Sequence, residues 1–124
     1  MSPAEFKRLL VKRLPPNGLS PALTALWWAG NDDWDKAHKI VMNEDSADCA
    51  WVHAYLHRVE SDLGNAGYWY RQARRKPASG DTASEWSAMV AALLKTGARL
   101  SIGWTVPARD AIKAPTDRQR DRQR

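Results

Sequence analysis

The sequence predicts an all-α fold, a compact bundle of about six helices built on two short helical hairpins. Three observations lead there. Apolar residues recur at three- and four-residue spacing through successive segments. Capping residues, prolines and glycines punctuate those segments at the ends where helices start and stop. No run alternates with period two for long enough to make a strand; residues 102–106 are the one candidate.

The first helix starts at Ser2, with Pro3 in the first helical position and Glu5 in the first turn. Its apolar stripe is Phe6, Leu9, Leu10 and Leu14, its charged face Lys7, Arg8, Lys12 and Arg13, and Pro15-Pro16-Asn17-Gly18 ends it. The second opens with the same cap-then-proline order at Ser20-Pro21, runs through Leu23, Leu26 and Trp27, and closes at Gly30-Asn31. Asp32 or Asp33 caps a third helix carrying Trp34, Ala37, Ile40 and Val41, where a carboxylate at the start suits the helix dipole.

Asp45 or Ser46 caps the fourth helix, whose stripe reads Val52, Leu56, Val59 and Leu63, with Trp51 and Tyr55 beside it. A turn at residues 61–64 leads to the fifth, with Ala66, Trp69, Tyr70 and Ala73 inward and Pro77 as its stop. Asp81 or Thr82 caps the sixth, which turns Trp86, Met89, Val90, Leu93 and Leu94 inward and ends near Gly97. Residues 1–97 thus form the helical domain. Residues 98–124 form an extended, mostly disordered basic tail, closing on a tandem Asp-Arg-Gln-Arg that has no means of burying surface.

At 124 residues the chain has room for one ordinary domain, and its 44% hydrophobic content is enough for a packed core. Seven Trp stand against three Tyr and one Phe, so indoles supply most of the aromatic bulk. The spacing of Trp27, Trp34, Trp51, Trp69 and Tyr70 is that of core stripes; Trp28 and Tyr68 fall off the stripes and mark a candidate exposed patch. Cys49 is the single cysteine, so no intrachain disulfide forms, and the expected setting is the reducing cytoplasm. Cys49 reads as a small core residue. The N-terminal residues lack the apolar stretch of a signal peptide, and no segment is long and apolar enough to span a membrane.

The net charge of +5 is spread along the chain, as +2 over residues 1–76 and +3 over residues 77–124. Arg71, Arg74, Arg75 and Lys76 gather where the fifth helix ends; there they complement its dipole, or grip phosphates. The Arg-rich tail offers weak, salt-sensitive attraction to nucleic acid, diluted by Asp117 and Asp121.

Two segments align with a period of 29: Leu26-Trp27 with Tyr55-Leu56, Trp34 with Leu63, Ala37 with Ala66, and Ile40-Val41 with Trp69-Tyr70. A repeat of this length points to stacked helical hairpins, with a small residue where each pair crosses. The stretch Asp62-Leu63-Gly64-Asn65-Ala66 through Tyr68-Trp69-Tyr70-Arg71-Gln72-Ala73 to Pro77 resembles the second helix of a tetratricopeptide repeat, Ala66 and Ala73 standing at its small positions and Tyr70 at its aromatic one. Over residues 20–95 the chain also resembles short uncharacterised bacterial proteins. Those share a segment like Trp34-Asp35-Lys36-Ala37-His38, one like Ala50-Trp51-Val52-His53-Ala54-Tyr55-Leu56-His57-Arg58, and a version of Asn65-Ala66 through Tyr68-Trp69-Tyr70-Arg71. The resemblance implies the fold and carries no activity with it.

The sharpest chemical feature is the histidines. His53 and His57 lie four apart on one helix face, with Glu60 following, and His38 sits where it can face them across the hairpin. Two His at i and i+4 with a third ligand is a metal geometry, but no HExxH, ExxH pair or Cys partner accompanies it. The expectation is therefore a non-catalytic, cofactor-free module that binds a protein or peptide on a face lined by His53, His57, Trp69 and Arg71. Two alternatives stand beside it: a metal- or His-dependent hydrolase using His38, His53, His57 and Glu60, and accessory nucleic-acid binding through the tail. No catalytic residue is assigned, and the sequence leaves the oligomeric state open.

Overall fold

The computed structural model describes residues 1–97, and among them it contains six α-helices, one 3₁₀ turn and no strand. The expected tail and the candidate strand lie outside the described residues. No helix among the described residues is long and apolar enough to cross a membrane.

Helix α1 (Pro3–Arg8) starts in a capping box: Glu5 N–H donates to Ser2 Oγ at 3.1 Å, and Ser2 N–H donates back to Glu5 Oε1 at 2.7 Å. The Ser2 bonds to its ionised form hold the Glu5 carboxyl below the usual range. The expected stripe to Leu14 is cut short. The helix ends at Arg8, a 3₁₀ turn covers Leu9–Val11, and Lys12 is extended, leaving Leu14 at 68% exposure. Phe6 alone in α1 is buried, its ring 5.9 Å from that of Trp86.

Helices α2 (Pro21–Gly30) and α3 (Trp34–Met42) form the first hairpin, α4 (Ala47–Val59) and α5 (Leu63–Ala73) the second, and α6 (Thr82–Gly97) packs across α1, α2 and α4. The caps settle on Ser20, Asp33, Ser46 and Asp62, each accepting a backbone N–H three residues on. Asp81 does the same for Ser84 N–H at the start of α6.

The 29-residue period is visible in the backbone of the two turns. Asp32 and Ser61 both take left-handed conformations, at φ 61° and 67°. Asp33 and Asp62 follow at nearly equal angles, φ −105°, ψ 75° and φ −93°, ψ 77°. The Asp33 amide donates to Trp28 O at 2.9 Å, and the Asp62 amide to His57 O at 2.8 Å. The small residues beyond the turns, Ala37 and Ala66, are both buried where the hairpins cross.

Helix α4 is the axis of the bundle. It packs against α2, α3, α5 and α6, and its residues from Cys49 to His57 are buried without interruption. The stripe expected on it stops at Leu56: Val59 is 43% exposed, and Leu63, at 67%, opens α5 instead. Val59 ends α4, and the left-handed turn at Ser61 takes Leu63 out of the register of that helix.

Tryptophan N–H groups join the elements. Trp27 Nε1 donates to Leu9 O at 3.0 Å, Trp34 Nε1 to Leu56 O at 2.7 Å, and Trp86 Nε1 to Leu26 O at 2.8 Å. A buried ionic network joins α4, α5 and α6. Arg58 donates to Glu85 Oε1 at 2.7 Å and to Gly80 O, while Tyr70 Oη donates to the other Glu85 oxygen. Burial first, then the bond to Glu85, pushes the Tyr70 hydroxyl far above its ordinary pKa.

Candidate functional site

Two constructions stand out, one sealed and one open. The sealed one is a histidine cluster at the junction of α3, α4 and α5. His38, His53 and His57 are 5%, 1% and 0% exposed, and they converge. The Nε2 atoms of His38 and His53 are 3.1 Å apart, and one ligand atom from each of the three rings lies within 4.8 Å of the others.

The cluster is held by its neighbours. Trp34 stacks on His38 with ring centroids 4.5 Å apart, and Trp69 stacks on His53 at 4.1 Å and nearly parallel. His57 Nδ1 bonds to Glu60 Oε2 at 2.9 Å. A carboxylate only accepts, so this bond puts a ring proton on Nδ1. Asp62, which caps α5, stands close enough to His57 and Glu60 to make a second donor group with them.

The four residues expected to line a binding face are thus divided. His53, His57 and Trp69 lie inside, Trp69 being 9% exposed, while Arg71 is on the surface of α5 above Gly67. Trp28 and Tyr68, expected at the surface, are partly buried. Trp28 packs edge-on against Trp27 and under Lys36, whose Nζ is 4.5 Å from its ring, and Tyr68 packs edge-on against Trp69. Cys49 is 1% exposed, and burial pushes its thiol up to about 12, so it stays protonated and inert at neutral pH.

The open construction is a groove of about 590 Å³ between the end of α5, the following loop and the first turns of α6. Trp51, Arg74, Arg75, Lys76, Ser79 and Ser84 line it, with Glu85 at its inner wall. Helix α5 ends at Ala73, four residues before Pro77, because Arg74 turns left-handed at φ 61°. Arg75 N–H then reaches back to Tyr70 O and Arg74 N–H to Arg71 O, both at 3.0 Å, the Schellman pattern of a helix end. That turn is one glycine makes without strain; here arginine holds it, at a cost of roughly 1 kcal/mol.

The consequence is that Arg74, Arg75 and Lys76 leave the helix together and reach the groove. The Arg75 guanidinium sits 3.6 Å from the centroid of the Trp51 ring. Asp48 lies close enough to feel Arg75, yet burial dominates and raises its carboxyl above the usual range. Glu85 spends its charge inward on Arg58. The basic run was legible in the sequence, whereas the Arg75–Trp51 pair was not, since no local spacing links two residues on different helices. No known protein family, curated protein or solved structure matches the chain.

Proposed function

We propose that the chain is a non-catalytic helical binding module that docks an acidic peptide segment of a protein partner in the groove beside α6. The observation that carries this reading is the Arg75 guanidinium seated over Trp51. An indole face holds the cation in place without using its N–H edge, so the in-plane donors remain to grip a carboxylate in bidentate fashion.

Charge supports the same occupant. Arg74 and Lys76 flank Arg75 on exposed backbone, and the acidic wall residue Glu85 is already paired. A volume of about 590 Å³ lies within the range of sites that hold a ligand or a few peptide side chains, roughly 300–1,000 Å³. The repeated 29-residue turn supports the further reading of a tetratricopeptide-like hairpin pair, and the single buried cysteine fits a cytoplasmic setting. The hydrolase alternative has less behind it. A substrate would have to reach imidazoles that are at most 5% exposed.

The test is titration with a fluorescently labelled Glu-rich peptide at two salt concentrations. The wild-type chain binds it, more weakly at high salt. Replacing Arg75 by Glu removes a charge-assisted contact of about 1.5–3 kcal/mol and weakens binding at least tenfold, with a Lys-rich peptide inert throughout. Equal affinity of wild type and R75E for the acidic peptide rejects the proposal.

A further inference from the structure

The histidine cluster takes no part in the docking groove, and its geometry asks for an explanation of its own. Three imidazoles brought together in a protein interior expose nothing to a partner. They do offer nitrogen donors to one point. Tetrahedral zinc holds its nitrogen ligands roughly 3.3 Å apart, given bonds of about 2.0–2.1 Å. The Nε2 atoms of His38 and His53 stand at 3.1 Å, joined by a hydrogen bond whose proton the ion would displace, so the spacing along one edge of such a site is already set. The third ring, His57, is within 4.8 Å, and less than about 1.5 Å of movement closes the triangle.

We propose that His38, His53 and His57 form a binding centre for one divalent transition ion of the zinc class, with Glu60 as its outer carboxylate. Imidazole is a ligand that suits zinc, nickel and copper, and an all-nitrogen set disfavours magnesium and calcium, which want oxygen. Glu60 on His57 Nδ1 is the partner a ligating histidine needs: it fixes the tautomer, raises the basicity of the ring and brings negative charge toward the ion. The indole faces of Trp34 and Trp69, stacked on His38 and His53, hold those two rings in place.

A cavity of about 150 Å³ lies beside Trp34, the indole stacked on His38, with Asp32 on its wall. The ion would clamp α3 to α4, the two helices that supply the ligands. Its role is structural, since the site admits no substrate.

The experiment uses the full chain with any affinity tag removed, stripped by a chelator and titrated with Zn²⁺ against a chromophoric competitor. The chain has three histidines in all, so imidazole-bound metal reports this centre alone. One equivalent of Zn²⁺ binds, the thermal midpoint rises, and the ring signals of all three histidines move together in imidazole-detected NMR. Glu60→Gln, near the surface, lowers the affinity about 10- to 100-fold, and His38→Gln lowers it further. Failure of the folded wild-type chain to take up one equivalent overturns the assignment. So does uptake that leaves the three ring signals in place, a result that does not depend on any variant folding.

Discussion

The hairpins α2–α3 and α4–α5 turn the chain with the same conformations in the same order, yet they enclose different material. In α2 the inward residues are Ala22, Leu23, Ala25, Leu26 and Trp27, all apolar in their buried parts. In α4 the run from Cys49 to His57 includes two histidines, and Arg58 follows with a buried partner on α6. The difference teaches that the repeat lives in the turns. An aspartate cap preceded by a left-handed residue sets the hairpin, and the faces between the turns are then at liberty to diverge.

The comparison can be broken first at its polar side. Glu85→Ala leaves the largely buried Arg58 charged with only the neutral Gly80 O as acceptor, and costs about 3 kcal/mol in urea denaturation. A loss no greater than that of a surface variant would mean that the network does not hold α6 to the second hairpin.

The same region carries a pH dependence. Burial, then the Glu85 charge, pushes Tyr55 up to about 12, and Tyr70 goes higher. Both groups hold their protons more tightly folded than unfolded. Their contribution is therefore full below the unfolded value of about 10 and is lost as pH rises through the folded values. Stability measured by denaturation falls between about pH 10 and 12, and E85Q flattens that fall.

Paired positions sharpen the contrast. Gly30 and Val59 are equivalent in the repeat. A Cβ on Gly30 would stand 2.9 Å from Trp86 Cζ2, and the Trp86 ring is fixed by its bond to Leu26 O. Gly30→Ala thus costs about 1–3 kcal/mol from overpacking, whereas Val59→Ala, at an exposed position, stays within about 0.5 kcal/mol. The caps should behave alike: Asp33→Ala and Asp62→Ala each cost about 1 kcal/mol. A large inequality between the two caps in thermal denaturation would deny the shared turn.

Much of this architecture can be read from residue order because its signals are local. Ser20-Pro21, Asp33 and Asp62 announce helix starts within three residues of the bonds they make. The helix ends are harder to place. Pro77 reads as the stop of α5, yet the chain has already turned at Arg74, a residue with no propensity for that conformation. Leu14 completes a plausible stripe in sequence, but the helix that would carry it ends at Arg8.

The site divides in the same way. That His53 and His57 share a face follows from their spacing, and that His38 meets them follows from the hairpin. Whether that face looks outward or inward depends on α5 closing over it with Trp69, and no short-range pattern encodes that. Arg75 over Trp51 and Tyr70 with Glu85 are likewise tertiary meetings of residues that look ordinary one at a time.

Helix α4 has no outward side between Cys49 and His57. Nine consecutive positions thus lack the freedom to drift that a surface residue enjoys, and each must suit a different neighbour. Over evolutionary time such a segment should change slowest. Diversity among chains of this kind should collect instead in α1 and in the 3₁₀ turn that follows it.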